Sequence, residues 1–149
     1  MKNFIKTHHK KRFGRCFELS GKYVFKTDQS KFLVHGAVYI ITLPLAHAWV
    51  EDEGQNVYDL IENKVYTKDQ YSKKFNAKKK MIYTYDDLVN RNAKYGHWGP
   101  WAEDMLIPFV ELLLQGFENE EDLQVENSPS YLYWQEEARR INEDGPGQI

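Results

Sequence analysis

Hydrophobic and polar positions follow two different periods along the chain, and the change of period separates a first helix from a run of strands. Cys16 opens a stretch in which apolar and small side chains recur at helical spacing, which predicts a helix that begins near residue 15 or 16. Residues 32–42 are instead a nearly continuous run of β-branched and aromatic side chains, which predicts a buried strand.

A second pair of strands is predicted directly after this run. We expect a short break at Leu43-Pro44-Leu45 and then two antiparallel strands over 46–51 and 56–61. The turn-like segment 52–55 contains Gly54, which suits a hairpin. Two further strand-like segments, 64–66 and 81–85, flank a lysine-rich turn or short helix.

The remaining sequence predicts helices. Asp86 and Asp87 are expected to cap a helix that ends at Tyr95-Gly96. The aromatic loop 96–101 leads into a helix over 102–117, in which we expect Pro108 to kink the first turns. A last helix is expected over 131–142.

Together these elements predict an α+β fold, in which an N-terminal Cys-bearing helix packs on an antiparallel β-sheet and C-terminal helices complete the core. We expect a single domain over 1–149. Its predicted parts are a basic arm (1–14), a helix plus sheet core (15–85), a helical part (86–144) and a frayed tail (145–149).

Composition narrows the class of protein. A chain of 149 residues with 15% aromatic side chains has enough apolar surface for one folded domain and is unlike collagen, linkers or disordered chains. No run approaches the roughly 20 apolar residues of a membrane span, and the N-terminus lacks the apolar part of a signal peptide. We therefore expect no membrane partner and a cytoplasmic location. The one cysteine, Cys16, excludes a disulfide scaffold.

Charge is distributed unevenly, with basic residues concentrated in the arm and in the lysine-rich segment 68–80. Such clusters attract nucleic acid in some proteins. Here they lack the aromatic and glycine pattern of an RNA-binding sheet, so we interpret them as solvated surface. The apolar face of residues 103–114 is expected to pack on the core, and a second copy of the chain as its partner stays open.

Three residues with complementary chemistry follow one another along the predicted elements. Cys16 opens the first helix, and a helix N-terminus and an imidazolium are the usual means of stabilising a thiolate nucleophile. His47 and Asp59 lie on successive strands, and a carboxylate can orient an imidazole through its second nitrogen. A hairpin that turns at 53–54 would bring Asp59 level with His47 or Trp49.

The string His47-Ala48-Trp49-Val50-Glu51, followed by Val57-Tyr58-Asp59, resembles the histidine and aspartate strands of transglutaminase-like members of the papain-like cysteine enzyme superfamily. The resemblance implies that Cys16 is the nucleophile, that His47 is the general base and acid, and that Asp59 orients the histidine. It also implies a helix packed against an antiparallel sheet.

Four aromatic side chains are candidates for substrate binding. Trp49 lies within the motif itself, and His97, Trp98 and Trp101 belong to the loop Gly96-His97-Trp98-Gly99-Pro100-Trp101. Such a loop suits either a tight structural turn or the wall of a substrate groove.

Metal binding is the other chemistry that these side chain types offer. Cys16, His35, His47, Asp59 and His97 include zinc-ligand types, but no pair has the spacing of a local zinc motif, so we expect neither a metal nor another cofactor. His35 is expected to be a core histidine with its hydrogen bonds satisfied.

The sequence thus predicts a small cytosolic thiol enzyme that cleaves or transfers an amide or acyl group of a protein or peptide-like substrate through a Cys16 acyl-enzyme. Water as acceptor would give hydrolysis or deamidation, and an amine would give transfer. The alternative is a non-catalytic binding or inhibitory protein on the same scaffold, such as a bacteriophage factor directed against its host.

Overall fold

The computed structural model describes residues 15–27 and 29–116. The predicted basic arm, the helix over 131–142 and the frayed tail lie outside these residues. The described elements, in chain order, are α1 (Cys16–Lys26), β1 (Phe32–Ile40), β2 (Leu43–Glu51), β3 (Asn56–Asp59), β4 (Lys64–Thr67), α2 (Lys68–Phe75), β5 (Lys78–Tyr83), α3 (Tyr85–Tyr95), a 3₁₀ turn (Ala102–Asp104) and α4 (Leu106–Leu114). The predicted α+β fold class is confirmed.

The five strands form one antiparallel sheet in the order β4-β3-β2-β1-β5. Because neighbouring residues of a strand point to opposite faces, the sheet divides its core in two. On one face, Leu33 and Val50 pack with Val24 of α1 and Leu88 of α3. On the other face, Trp49 and the strands beside it pack with Tyr71 of α2.

The apolar side of α4 covers the first of these faces, as predicted. Its buried side chains pack against Ala37 of β1 and Ala46 of β2. Within 15–27 and 29–116, no helix combines the length and the apolar character that crossing a membrane requires.

The predicted break at Leu43-Pro44-Leu45 is wrong, because β2 begins at Leu43 and Pro44 lies opposite Tyr39 of β1. The chain reverses instead at Ile41 and Thr42. Since β2 pairs with β3 only near its C-terminal end, its first half has a strand on one side alone, and such an edge position tolerates proline.

The β2–β3 hairpin has the register that the sequence predicts. Val50 lies opposite Tyr58 and Glu51 lies opposite Val57, so continuation of the same register puts Asp59 level with Trp49 and on the face of His47. The Asp52 carboxylate fixes the turn, since its Oδ1 accepts the backbone N–H groups of Gly54 at 2.8 Å and Asn56 at 3.0 Å.

Two details of the C-terminal helices differ from the prediction. Thr84, rather than Asp86, is the N-cap of α3, and Asp87 completes its capping box. The helix predicted over 102–117 is interrupted at Met105, whose backbone is left-handed. Pro108 is the third residue of α4, where the backbone N–H has no partner within the helix, so the proline does not disturb it.

Gly36 gives the first testable prediction, because the backbone of the neighbouring strand β5 lies very close to it. A Cβ atom at Gly36 would lie 2.1 Å from the carbonyl oxygen of Lys78 and 3.0 Å from Cη2 of Trp49. Gly36→Ala should therefore lower the free energy of unfolding by about 2–4 kcal/mol, measured by urea denaturation. In the control Gly54→Ala, the new Cβ meets side-chain atoms of Asn56 and Asp52 at 3.3 Å and no backbone atom, and a loss as large as that of Gly36→Ala would contradict this packing.

Candidate active site

His47 and Asp59 form the centre of the site. His47 lies on β2 at the point where β3 ends, and its Nε2 is 2.9 Å from Oδ2 of Asp59. The side chains are 13% and 3% exposed, so water screens their interaction only weakly. The hairpin register that the sequence predicts therefore brings the two side chains into direct contact.

Asp59 has hydrogen bonds on both carboxylate oxygens. Oδ1 accepts the backbone N–H groups of Ile61 at 3.0 Å and Glu62 at 2.9 Å. Oδ2 accepts the hydroxyl of Tyr71 at 2.5 Å in addition to its contact with His47. The β3–β4 turn and α2 thus hold this carboxylate in one orientation.

Cys16 reaches the same histidine from α1. It is the first residue of the helix and is 8% exposed, and no side chain caps the helix N-terminus. Both residues line the same cleft, and the thiol lies close enough to the ring to contribute to the raised pKa of His47. Since Nε2 of His47 is engaged with Asp59, Nδ1 is the ring nitrogen left for the sulfur. The hydroxyl of Ser20, one turn along α1, is 3.3 Å from the carbonyl oxygen of Ala48 and ties the helix to β2 beside the histidine.

The charges around His47 determine its protonation. Burial of the ring disfavours the imidazolium, but hydrogen bonds with Asp59 and Cys16 and the negative charges of these two groups raise the pKa of His47 to about 10. Burial alone would also raise the pKa of Asp59, yet the hydrogen bond and positive charge of His47 lower it below the ordinary range. Burial and the Asp59 charge raise the pKa of Tyr71 well above its usual value, so its hydroxyl remains a donor.

An open cleft of about 470 Å³ gives access to the three residues. Its polar lining comes from Cys16, His47, Asp59, Glu62 and Tyr71. The rest of its lining is apolar and comes from β1, β2, α2 and the turn after β3. A volume of this order accommodates a small organic group.

Trp49, a predicted substrate-binding residue, lies behind His47 rather than in this cleft. Its side chain is fully buried, and its ring stacks on the imidazole with centroids 6.1 Å apart. Its indole N–H donates to the buried Glu51 carboxylate at 2.9 Å, which Lys79 also contacts at 2.8 Å. Trp49 therefore packs against the histidine ring, and Glu51 holds the Trp49 indole in place.

The loop residues His97, Trp98 and Trp101 lie on the other face of the sheet and do not line the cleft. Trp98 packs closely against Gly21 of α1. Trp101 is 1% exposed, and its indole N–H donates to the carbonyl oxygen of His97 at 3.0 Å. A substrate-binding role for these residues stays a prediction, and their contacts show a turn packed against the core.

His35 is a core histidine, as expected, but its hydrogen bonds are not satisfied as expected. Neither ring nitrogen has a hydrogen-bond partner among the described residues, and the ring stacks on Trp101 with centroids 5.2 Å apart. Burial lowers the pKa of His35 to about 3, so the ring is neutral. Among the described residues, no group of three or more His, Cys, Asp or Glu side chains is arranged to hold a metal ion.

Tyr71 is the functional neighbour that the sequence analysis missed. The sequence pattern predicts a lysine-rich turn or short helix for the segment that carries it, without a role for its aromatic side chains. Tyr71 and Phe75 are spaced by four residues, which places both on one side of α2. That spacing was the available signal for a helix that packs an aromatic side against the sheet.

Comparisons with protein-family models, with curated proteins and with solved structures find no match to this chain. The resemblance to transglutaminase-like enzymes therefore stays a prediction from the sequence.

The raised pKa of His47 predicts how stability depends on pH. Its ordinary value is 6.5 and its value in the fold is about 10, so the folded state holds a proton that the unfolded state loses between these limits. This contribution of His47 is complete below about pH 6.5 and is lost as the pH rises through about 10. Because the Cys16 thiolate beside His47 has given up a proton that the unfolded thiol keeps up to about pH 8.5, the two effects offset each other below that pH. Urea denaturation between about pH 8.5 and 10 should show the decrease.

His47→Gln is the matched control for this prediction, because the amide can donate to Asp59 but does not titrate. The difference in unfolding free energy between the original protein and this variant should shrink as the pH rises from about 8.5 to 10. A difference that stays constant over this interval would contradict a charged His47.

The Tyr71 hydroxyl gives a separate prediction. Tyr71→Phe removes a donor to a buried carboxylate and should lower the free energy of unfolding by about 1.5–3 kcal/mol. Tyr66→Phe is the control, since the Tyr66 hydroxyl only accepts a 3.4 Å hydrogen bond from Lys74. Equal losses in the two variants, measured by urea denaturation, would show that Tyr71 contributes packing alone.

Proposed function

We propose that this protein is a thiol acyl-transfer enzyme in which Cys16 is the nucleophile. The observation that supports the proposal most directly is the chain of contacts from the Cys16 thiol through the His47 ring to Asp59, at the wall of an open cleft. A nucleophile, a base and a residue that orients the base are the three parts that covalent catalysis requires.

In the first half-reaction, the Cys16 thiolate attacks the carbonyl carbon of an amide or related acyl compound. A carbon–sulfur bond forms, and the bond to the leaving group breaks as the tetrahedral intermediate collapses. The His47 imidazolium gives its proton to the leaving amine. Asp59 keeps the imidazole oriented and stabilises its charged form.

In the second half-reaction, neutral His47 removes a proton from water or from a second amine, which attacks the acyl-enzyme carbonyl. The carbon–sulfur bond breaks, and the Cys16 thiolate and the His47 imidazolium are restored. Water as acceptor gives a carboxylic acid, whereas an amine gives a new amide. The proposal includes both outcomes.

The N-terminus of α1 is suited to stabilise the oxyanion of each tetrahedral intermediate. Backbone N–H groups in the first turn of a helix point out of its N-terminal end and carry partial positive charge. Cys16 is the first residue of α1, so its own N–H belongs to this group. An N–H donor directed at the developing oxyanion lowers the barrier to acyl transfer.

Alkylation of Cys16 by iodoacetamide tests the thiolate–imidazolium pair. We expect Cys16 to be alkylated readily at neutral pH, because an imidazolium beside the sulfur supports the thiolate form. His47→Ala should lower the rate of alkylation. Asp59→Asn should change it in the same direction, because the carboxylate no longer supports the imidazolium charge.

His97→Ala is the control, since His97 lies outside the cleft. It should leave the alkylation rate unchanged. Identical rates in the original protein and His47→Ala, with the fold retained by circular dichroism, would contradict the proposed enzyme and favour the non-catalytic binding protein.

A further inference from the structure

Much of the lining of the cleft beside Cys16 is apolar. Six of its lining side chains are hydrocarbon in character, namely Val38, Ile40, Leu45, Ala46, Ile61 and Phe75. No lysine or arginine lines the cleft, as far as the described residues show. Apolar walls of this kind favour an apolar occupant, because burial of hydrocarbon surface provides most of the binding free energy.

Exposed hydrophobic side chains are concentrated at the same place. Seven large hydrophobic residues are exposed in the described part of the chain, and four of them, Ile40, Ile41, Leu43 and Leu45, belong to the tip of the β1–β2 hairpin. Ile40 and Leu45 also line the cleft, so the exposed patch continues into it. Such a patch beside a cleft is typical of a binding surface.

The charge of the lining selects against anions. Glu62 and Asp59 contribute carboxylates to the cleft, and His47 provides the positive charge that Asp59 and Cys16 already engage. A carboxylate or phosphate placed among the apolar side chains would lose its hydration without gaining a cationic partner. A neutral hydrocarbon group does not incur this cost.

We infer that the acyl group transferred by Cys16 is neutral and apolar, either aliphatic or aromatic, and that it occupies the cleft between the β1–β2 hairpin and α2. This inference rests on the proposed thiol chemistry. The acyl group, rather than the leaving group, is the assigned occupant because it stays bonded to the Cys16 sulfur between the two half-reactions. The short polar side chain of glutamine would leave most of the apolar lining without a contact.

Acylation by 4-nitrophenyl esters of increasing chain length tests the inference. The series acetate, butyrate, hexanoate and octanoate releases the same leaving group, so only the acyl chain changes. We expect kcat/KM, corrected for the reactivity of each ester toward a small thiol, to rise about threefold for each added methylene that the cleft buries. Mass spectrometry should locate the acyl group on Cys16, and Cys16→Ala should abolish its formation.

The mono-4-nitrophenyl ester of suberic acid tests the charge preference, because its chain matches octanoate in length but ends in a carboxylate. We expect its kcat/KM to be at least about tenfold lower than that of octanoate. A suberate ester that reacts as fast as octanoate would overturn the inference about charge.

Matched variants test whether the preference for longer acyl chains arises in the cleft. Ile40→Gln should flatten the rise of kcat/KM with chain length. Ile82→Gln is the control, since Ile82 is 52% exposed against 50% for Ile40 but lies on β5, away from the cleft. Ile82→Gln should retain the full rise with chain length.

The outcomes separate the inference from the function on which it rests. Acylation that depends on Cys16 but not on chain length would overturn the inference that the acyl group is apolar. It would still be consistent with the proposed thiol enzyme. An equal effect of Ile40→Gln and Ile82→Gln would overturn the assignment of the acyl group to this cleft. No acylation of Cys16 by any ester would overturn the proposed function and the inference together.

Discussion

The rest of the site depends on the hydrogen bonds that the buried Asp59 carboxylate makes. The side chain is 3% exposed, and its two oxygens contact four groups: the ring of His47, the hydroxyl of Tyr71 and the backbone N–H groups of Ile61 and Glu62. These groups come from β2, α2 and the turn after β3. A buried carboxylate is costly unless it is fully hydrogen-bonded, so this arrangement is stable only when all these elements are in place.

The two faces of the sheet make different contributions to the same site. The face that carries His47 and Trp49 packs against α2. On this face the histidine ring contacts the stacked indole of Trp49 and the Asp59 carboxylate. The opposite face packs against α1, whose first residue is Cys16. Because β3 pairs only with the last part of β2, the edge of β2 beside His47 has no strand on that side, and α1 contacts it through Ser20. Cys16 and His47 both line the cleft at this place.

Local patterns in the sequence predicted the first helix, the β2–β3 hairpin and its register, since each depends on residues close together in the chain. The proximity of His47 and Asp59 followed from that register. Other features depend on tertiary context. Pro44 is accommodated within a strand because no strand lies on the other side of that part of β2. Tyr71 meets Asp59 only because α2 folds across the sheet, and the aromatic loop around Trp101 packs on the opposite face, which no local pattern indicates.

Nitrogen-15 NMR of the imidazole rings tests the central claim most directly, namely that Asp59 and Cys16 hold His47 in its charged form. The account predicts that both ring nitrogens of His47 carry protons at pH 7 and that the ring titrates near pH 10. It also predicts that Cys16→Ala and Asp59→Asn each lower that titration midpoint. A His47 ring that is already neutral at pH 7 in the original protein would contradict the account.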